Sequence, residues 1–207
     1  MYDRSIGWGL IGSGSERPGM GENPAIAVRQ SCGTHVGGGN HVETARFASL
    51  IAATITMGLV SGLFYGFSVA VMPGLRASSD RTVIETMQRI NVAILNGWFL
   101  LGYMGSLLFT ALALGLHLPG EGRHALVPLA GALVAYVLAM IVTARVNIPL
   151  NNALEKAGPV DRIADPAAVR RAFEGTWVRA NTWRTLLCTV AFGLLAWALV
   201  LHGQNAA

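Results

Sequence analysis

Charge is missing from long stretches of the chain, which divide it into apolar windows separated by polar connections. Arg46 and Arg76 bracket 29 uncharged residues, Arg89 and Glu121 bracket 31, Arg123 and Arg145 bracket 21, and 23 follow Arg184. A bilayer core of about 30 Å takes about 20 residues of helix at a rise of about 1.5 Å each. Every window is long enough. Backbone amides in lipid find no water and must be satisfied within their own segment, so each span is a helix. The runs are continuous and lack the alternation of a membrane β-barrel. The pattern predicts an all-α fold, a four-helix transmembrane bundle with spans near 47–72, 98–118, 125–144 and 184–202.

Between the windows the pattern changes. Residues 80–95 read as a short amphipathic helix capped by Ser79 or Asp80, with Val83, Ile84, Met87, Ile90 and Ile94 on one face. Such a helix fits the membrane interface. Pro149 is expected to end or kink the helix that leaves span three. Ahead of the four-span domain at 47–202, residues 1–46 are rich in glycine and poor in apolar side chains. They bury too little to offset the entropy of ordering, so a disordered N-terminal tail is expected.

Composition strengthens the membrane reading. Hydrophobic residues make up 53% of the 207 and charged residues 13%, against about 25% charged in soluble domains; mean hydropathy is +0.49. Too few charges remain to cover a watery surface. The net charge of +4 is dispersed rather than gathered in a patch, so membrane lipid is the expected partner and nucleic acid is not. The first and third connections hold ten Lys and Arg residues and the other side five. The positive-inside rule then places those connections in the cytoplasm and both termini outside it.

Polar side chains at the span ends are just as uneven. Gln88, Asn91 and Asn96 lead into span two, Asn147, Asn151 and Asn152 follow span three, and Asn181 and Arg184 open span four. All fall on the expected cytoplasmic side. Trp177, Asn181 and Arg184 are spaced by four and three residues, which puts them on one helix face. Amides and a guanidinium at membrane depth are costly unless they find partners or line a wet cavity, so the set reads as a pocket with an aromatic wall. The structural alternative is that Trp98 and Trp183 are interfacial anchors and the asparagines are caps or interhelical glue. Gly58, Gly62 and Gly66 form a small-residue ridge for packing inside the bundle or for a homo-oligomer, flanked by Phe64, Tyr65 and Phe67. Cys32, His35 and His41 match no zinc spacing. His117 and His202 end their spans, where a haem ligand would sit deeper. No metal or cofactor is expected.

Four blocks resemble the anthrone-oxygenase-like membrane family. These are ATITMGLVSGLFYGFSVAVMPGL from Ala53 to Leu75, MQRINVAILNGWF from Met87 to Phe99, NIPLNNAL from Asn147 to Leu154, and WVRANTWRT from Trp177 to Thr185. Gly97 and Thr182-Trp183 depart from the family's pattern inside the candidate pocket. The resemblance implies oxidation of a hydrophobic polycyclic phenol, such as an anthrone, by molecular oxygen without metal or flavin. It implies catalytic roles for Asn91, Asn96, Asn147, Asn181 and Arg184, with Trp98, Asn151 and Trp177 binding the small-molecule substrate. No residue stands out as a general base. The alternative is a non-enzymatic four-span protein, either a small-molecule binder or a scaffold that associates through the glycine ridge.

Overall fold

The computed structural model describes residues 36–206, with the side chains of 40–119 and 123–204 placed. Cys32, His35 and the expected tail disorder up to residue 35 lie outside the described residues; the rest of the expected tail, residues 36–46, is instead helical and continues into the first span.

Seven α-helices follow in order among the described residues. Helix α1 (Val36–Gly66) runs through a π-turn at Phe67–Val71 into α2 (Met72–Arg76). Helix α3 (Asp80–Ala93) precedes α4 (Gly97–His117), and a 3-10 segment at Gly120–Ala125 leads to α5 (Leu126–Val142). A second π-turn at Thr143–Asn147 joins α5 to α6 (Ile148–Lys156), and α7 (Pro166–Ala206) completes the chain. Four helical stretches are long and apolar enough to cross a membrane: Asn40–Arg76, Gly97–His117, Arg123–Lys156 and Pro166–Gln204.

The second span starts within a residue of its expected position. The others overrun, for identifiable reasons. Pro149 does not end the third span. A proline lacks the N–H of the helical ladder and its ring crowds the preceding turn, and here a wider turn absorbs both problems. The Ile148 N–H reaches Thr143 O at the end of the π-turn. The first span does the same before Pro73, with the Met72 N–H on Phe67 O. The fourth span continues as one helix of 41 residues, about 60 Å at the usual rise, so Trp177 and Asn181 lie well inside a helix.

The apolar side chains form two stacked clusters. One runs along the spans, with Leu50, Met57, Phe64, Leu129, Tyr136 and Leu195 buried in it. The other fills the end of the molecule where α3 and α6 lie, around Met72, Ile84, Met87, Leu154, Phe173 and Trp177. Helix α3 thus lays its apolar face on protein, packing against α6 and α7. Ser79 caps it, accepting from the Thr82 N–H at 3.2 Å. Arg170 on α7 fastens the loop before it, donating to Ser78 O at 2.9 Å and to Asp80 at 3.0 Å. At the opposite end Arg46 donates to Leu116 O at 2.8 Å. There His117 and His202 meet at 3.4 Å, and His202 approaches Glu43 at 3.3 Å.

The glycine ridge of the first span divides. A Cβ on Gly58 would meet the Phe192 ring of α7 at 3.1 Å, whereas nothing lies within 4 Å of Gly62 or Gly66. Close packing is instead supplied by α4, where Gly102, Ser106, Thr110 and Ala113 are buried at helical spacing.

Candidate functional site

Between the two apolar clusters lies a polar layer built mainly by one turn of α7. Asn181 and Arg184 are 1% and 6% exposed, and Arg184 donates to Asn181 Oδ1 at 2.7 Å. The amide of Asn181 donates in turn to Phe64 O at 3.0 Å and to Ser68 Oγ at 2.8 Å. Ser68 and Thr185 share a hydrogen bond of 3.0 Å, and Thr185 donates to Asn181 O at 2.9 Å. Asn181 is therefore saturated by span one and by Arg184. Ser68 sits in the first π-turn, which is what brings it to Asn181.

Arg184 is the unusual group. No carboxylate among the described residues pairs with it within ion-pair distance, and its Nε is buried with no hydrogen-bond partner. Its guanidinium carbon lies 4.2 Å from the centre of the Phe64 ring and 5.5 Å from that of Trp177. A buried cation held by one amide and two aromatic faces lacks a counter-charge. An anionic oxygen would supply it.

Asn147, delivered by the second π-turn, is 1% exposed. Its amide approaches Trp177 O at 3.5 Å, and its Oδ1 is buried without a partner. Asn151 accepts from the Trp177 indole N–H at 2.8 Å. Trp177 is further fixed by Phe67 and Phe173, with ring centres 5.6 and 5.9 Å away. The expected residues from spans three and four thus come together. Span one adds Phe64, Phe67 and Ser68. The sequence reading missed Ser68.

The residues expected from the start of span two are placed elsewhere. Asn96 is exposed and caps α4, accepting from the Phe99 N–H at 3.0 Å and donating to Ala93 O at 2.8 Å. Both ends of the amide are thus engaged at the start of its own helix. Trp98 is 85% exposed and points away from the bundle, as an anchor in lipid or headgroups would. Asn91 has a buried amide nitrogen without a partner, but no contact ties it to Arg184. The Asn-Gly-Trp sequence before an apolar run is itself an N-cap signal, and it accounts for Asn96 and Trp98 better than a pocket does.

The layer is closed. A groove of about 190 Å³ lies beside it, lined by Leu150, Ala153, Leu154, Val169, Ala172 and Phe173. Another, of about 360 Å³, lies between Gln88, Val92 and Glu155. Neither is lined by Arg184. Among the described residues no three His, Cys, Asp or Glu side chains gather to hold a metal ion.

A model of the anthrone oxygenase family matches residues 98–194. No curated protein and no solved structure matches the chain. The matched stretch contains Asn147, Asn151, Trp177, Asn181 and Arg184, while Phe64 and Ser68 lie outside it. The second and third spans and most of the fourth lie inside that match, so the chain is similar to the anthrone oxygenase family over nearly half its length and carries four helices long and apolar enough to cross a membrane.

Proposed function

We propose that the chain oxidises a hydrophobic polycyclic phenol with molecular oxygen at the polar layer around Arg184, with the layer on the cytoplasmic side. The observation that carries this reading is a buried guanidinium without a carboxylate, its Nε unpartnered and its faces covered by Phe64 and Trp177. Such a group stabilises an oxyanion in a site that excludes water, where the interaction is stronger than in solution. Aromatic walls suit a flat ring system.

An anthrone that loses its acidic C–H proton becomes a delocalised enolate. That anion passes an electron to oxygen; the resulting carbon radical and superoxide combine into a peroxide anion, which takes up the proton first released and then eliminates water with loss of the remaining C–H. The balance is one anthrone and one dioxygen to one anthraquinone and one water. Arg184 holds the enolate oxygen, and Asn181 holds Arg184. The buried Oδ1 of Asn147 accepts from a ring hydroxyl. Asn91, Asn96 and Trp98 have no part in this reading.

The test is oxygen uptake and quinone absorbance with anthrone and purified chain in nanodiscs. Turnover should be present in the native chain and fall about 100-fold or more in Arg184→Gln, the range for losing one oxyanion donor. Equal turnover in the two chains would reject the assignment.

A further inference from the structure

A ligand can reach Arg184 only if something moves, because the guanidinium is 6% exposed between two rings. The two rings are not equally free. Phe64 is packed within the long apolar cluster of the spans. Trp177 belongs to the smaller cluster and stacks on Phe173, whose other surroundings include the groove of about 190 Å³. On the tryptophan side a groove thus lies one ring away, beyond Phe173.

One side-chain hydrogen bond sets where the indole stands, from its N–H to Asn151 Oδ1 at 2.8 Å. The helix that carries Asn151 is itself anchored. Gln88 of α3 donates to Leu154 O at 2.9 Å and to Gly158 O at 3.0 Å, which fixes the far end of α6 and satisfies carbonyls left open there. At its near end α6 joins the π-turn that carries Asn147. An anchored acceptor thus holds a ring that shields a buried cation. We propose that Asn151 is a positioning residue that governs access to Arg184 by latching the Trp177 indole shut, and that the indole swings toward the groove when the latch opens. Asn151 then acts through Trp177 rather than by binding substrate. The consequence for catalysis rests on the oxygenase reading above; the latch itself does not.

The experiment uses the full chain in nanodiscs with Trp177 as its sole tryptophan, the other four being replaced by phenylalanine. Acrylamide quenching of that indole reports its exposure, and anthrone turnover is followed in parallel. Asn151→Leu keeps the volume and removes the acceptor. It should raise the quenching constant about fivefold, the population change that one net hydrogen bond controls, and lower KM for anthrone with little change in kcat. Asn151→Asp restores an acceptor oxygen and should return both values toward native, which separates a latch from damage to the fold. Equal quenching in the native chain and Asn151→Leu would overturn the latch, even in an active enzyme. Raised quenching in a chain that never oxidises anthrone would keep the latch and remove the oxygenase reading.

Discussion

At the scale of single residues, the site depends on one amide that satisfies several partners at once. Asn181→Ala removes the donor to Phe64 O and Ser68 and the acceptor for Arg184. Each buried group left unsatisfied costs about 1–3 kcal/mol. The variant should lose at least that much stability, measured by reversible unfolding in mixed micelles, and should lose activity as well. Arg184→Gln should differ in kind. With no carboxylate to orphan, its stability should stay within about 1 kcal/mol of native while activity collapses. The spacing of Trp177, Asn181 and Arg184 was legible in the sequence because a helix puts positions four and three apart on one face. Ser68 was not legible, because its direction depends on a π-turn, which shifts the register of the residues that follow. For Asn96 the helix-cap alternative was the legible one, since an asparagine ahead of an apolar run is first of all a cap.

Among the elements, the sequence marks where lipid forbids charge and is silent on what continues beyond it. The windows locate the four spans because about 20 uncharged residues are needed in each. They do not reveal that α7 extends back to Pro166, since Arg170, Arg171, Glu174 and Arg179 look like a connection when only charge is counted. The extension is held by contacts distant in sequence. Arg170 bonds Ser78 in the loop ahead of α3, Asp80 at the first position of α3, and Glu174 one turn along its own helix. Arg170→Met should therefore destabilise the chain by about 1–3 kcal/mol, with faster hydrogen exchange over residues 78–90 as the local sign. The glycine ridge offers a sharper contrast. Gly58→Leu would drive a side chain into the Phe192 ring and should cost about 1–3 kcal/mol. Gly62→Leu faces open space and should change stability by no more than about 0.5 kcal/mol. Equal effects at both positions would contradict the packing described.

For the whole molecule, the arrangement is a membrane bundle whose polar layer separates a long apolar cluster from a smaller one built with α3 and α6. Exposed apolar side chains such as Val127, Leu59 and Leu108, at 81%, 66% and 64%, cover the outside of the spans. That is the reverse of a water-soluble surface and what lipid contact requires. The Lys and Arg asymmetry leads to one global expectation. Single cysteines placed at residues 80 and 160 should be labelled only from the cytoplasmic side, and one placed at residue 204 only from the outside. Opposite labelling would invert the topology.

The central claim is that Arg184 stabilises the anion of a bound anthrone. The direct measurement excludes oxygen, so that the anion accumulates: anthrone is mixed anaerobically with the full chain in nanodiscs and its absorption spectrum recorded. The native chain should show the long-wavelength band of the enolate at a pH where free anthrone shows none, and Arg184→Gln should not. A native spectrum identical to that of free anthrone, or the same band in both chains, would contradict the account.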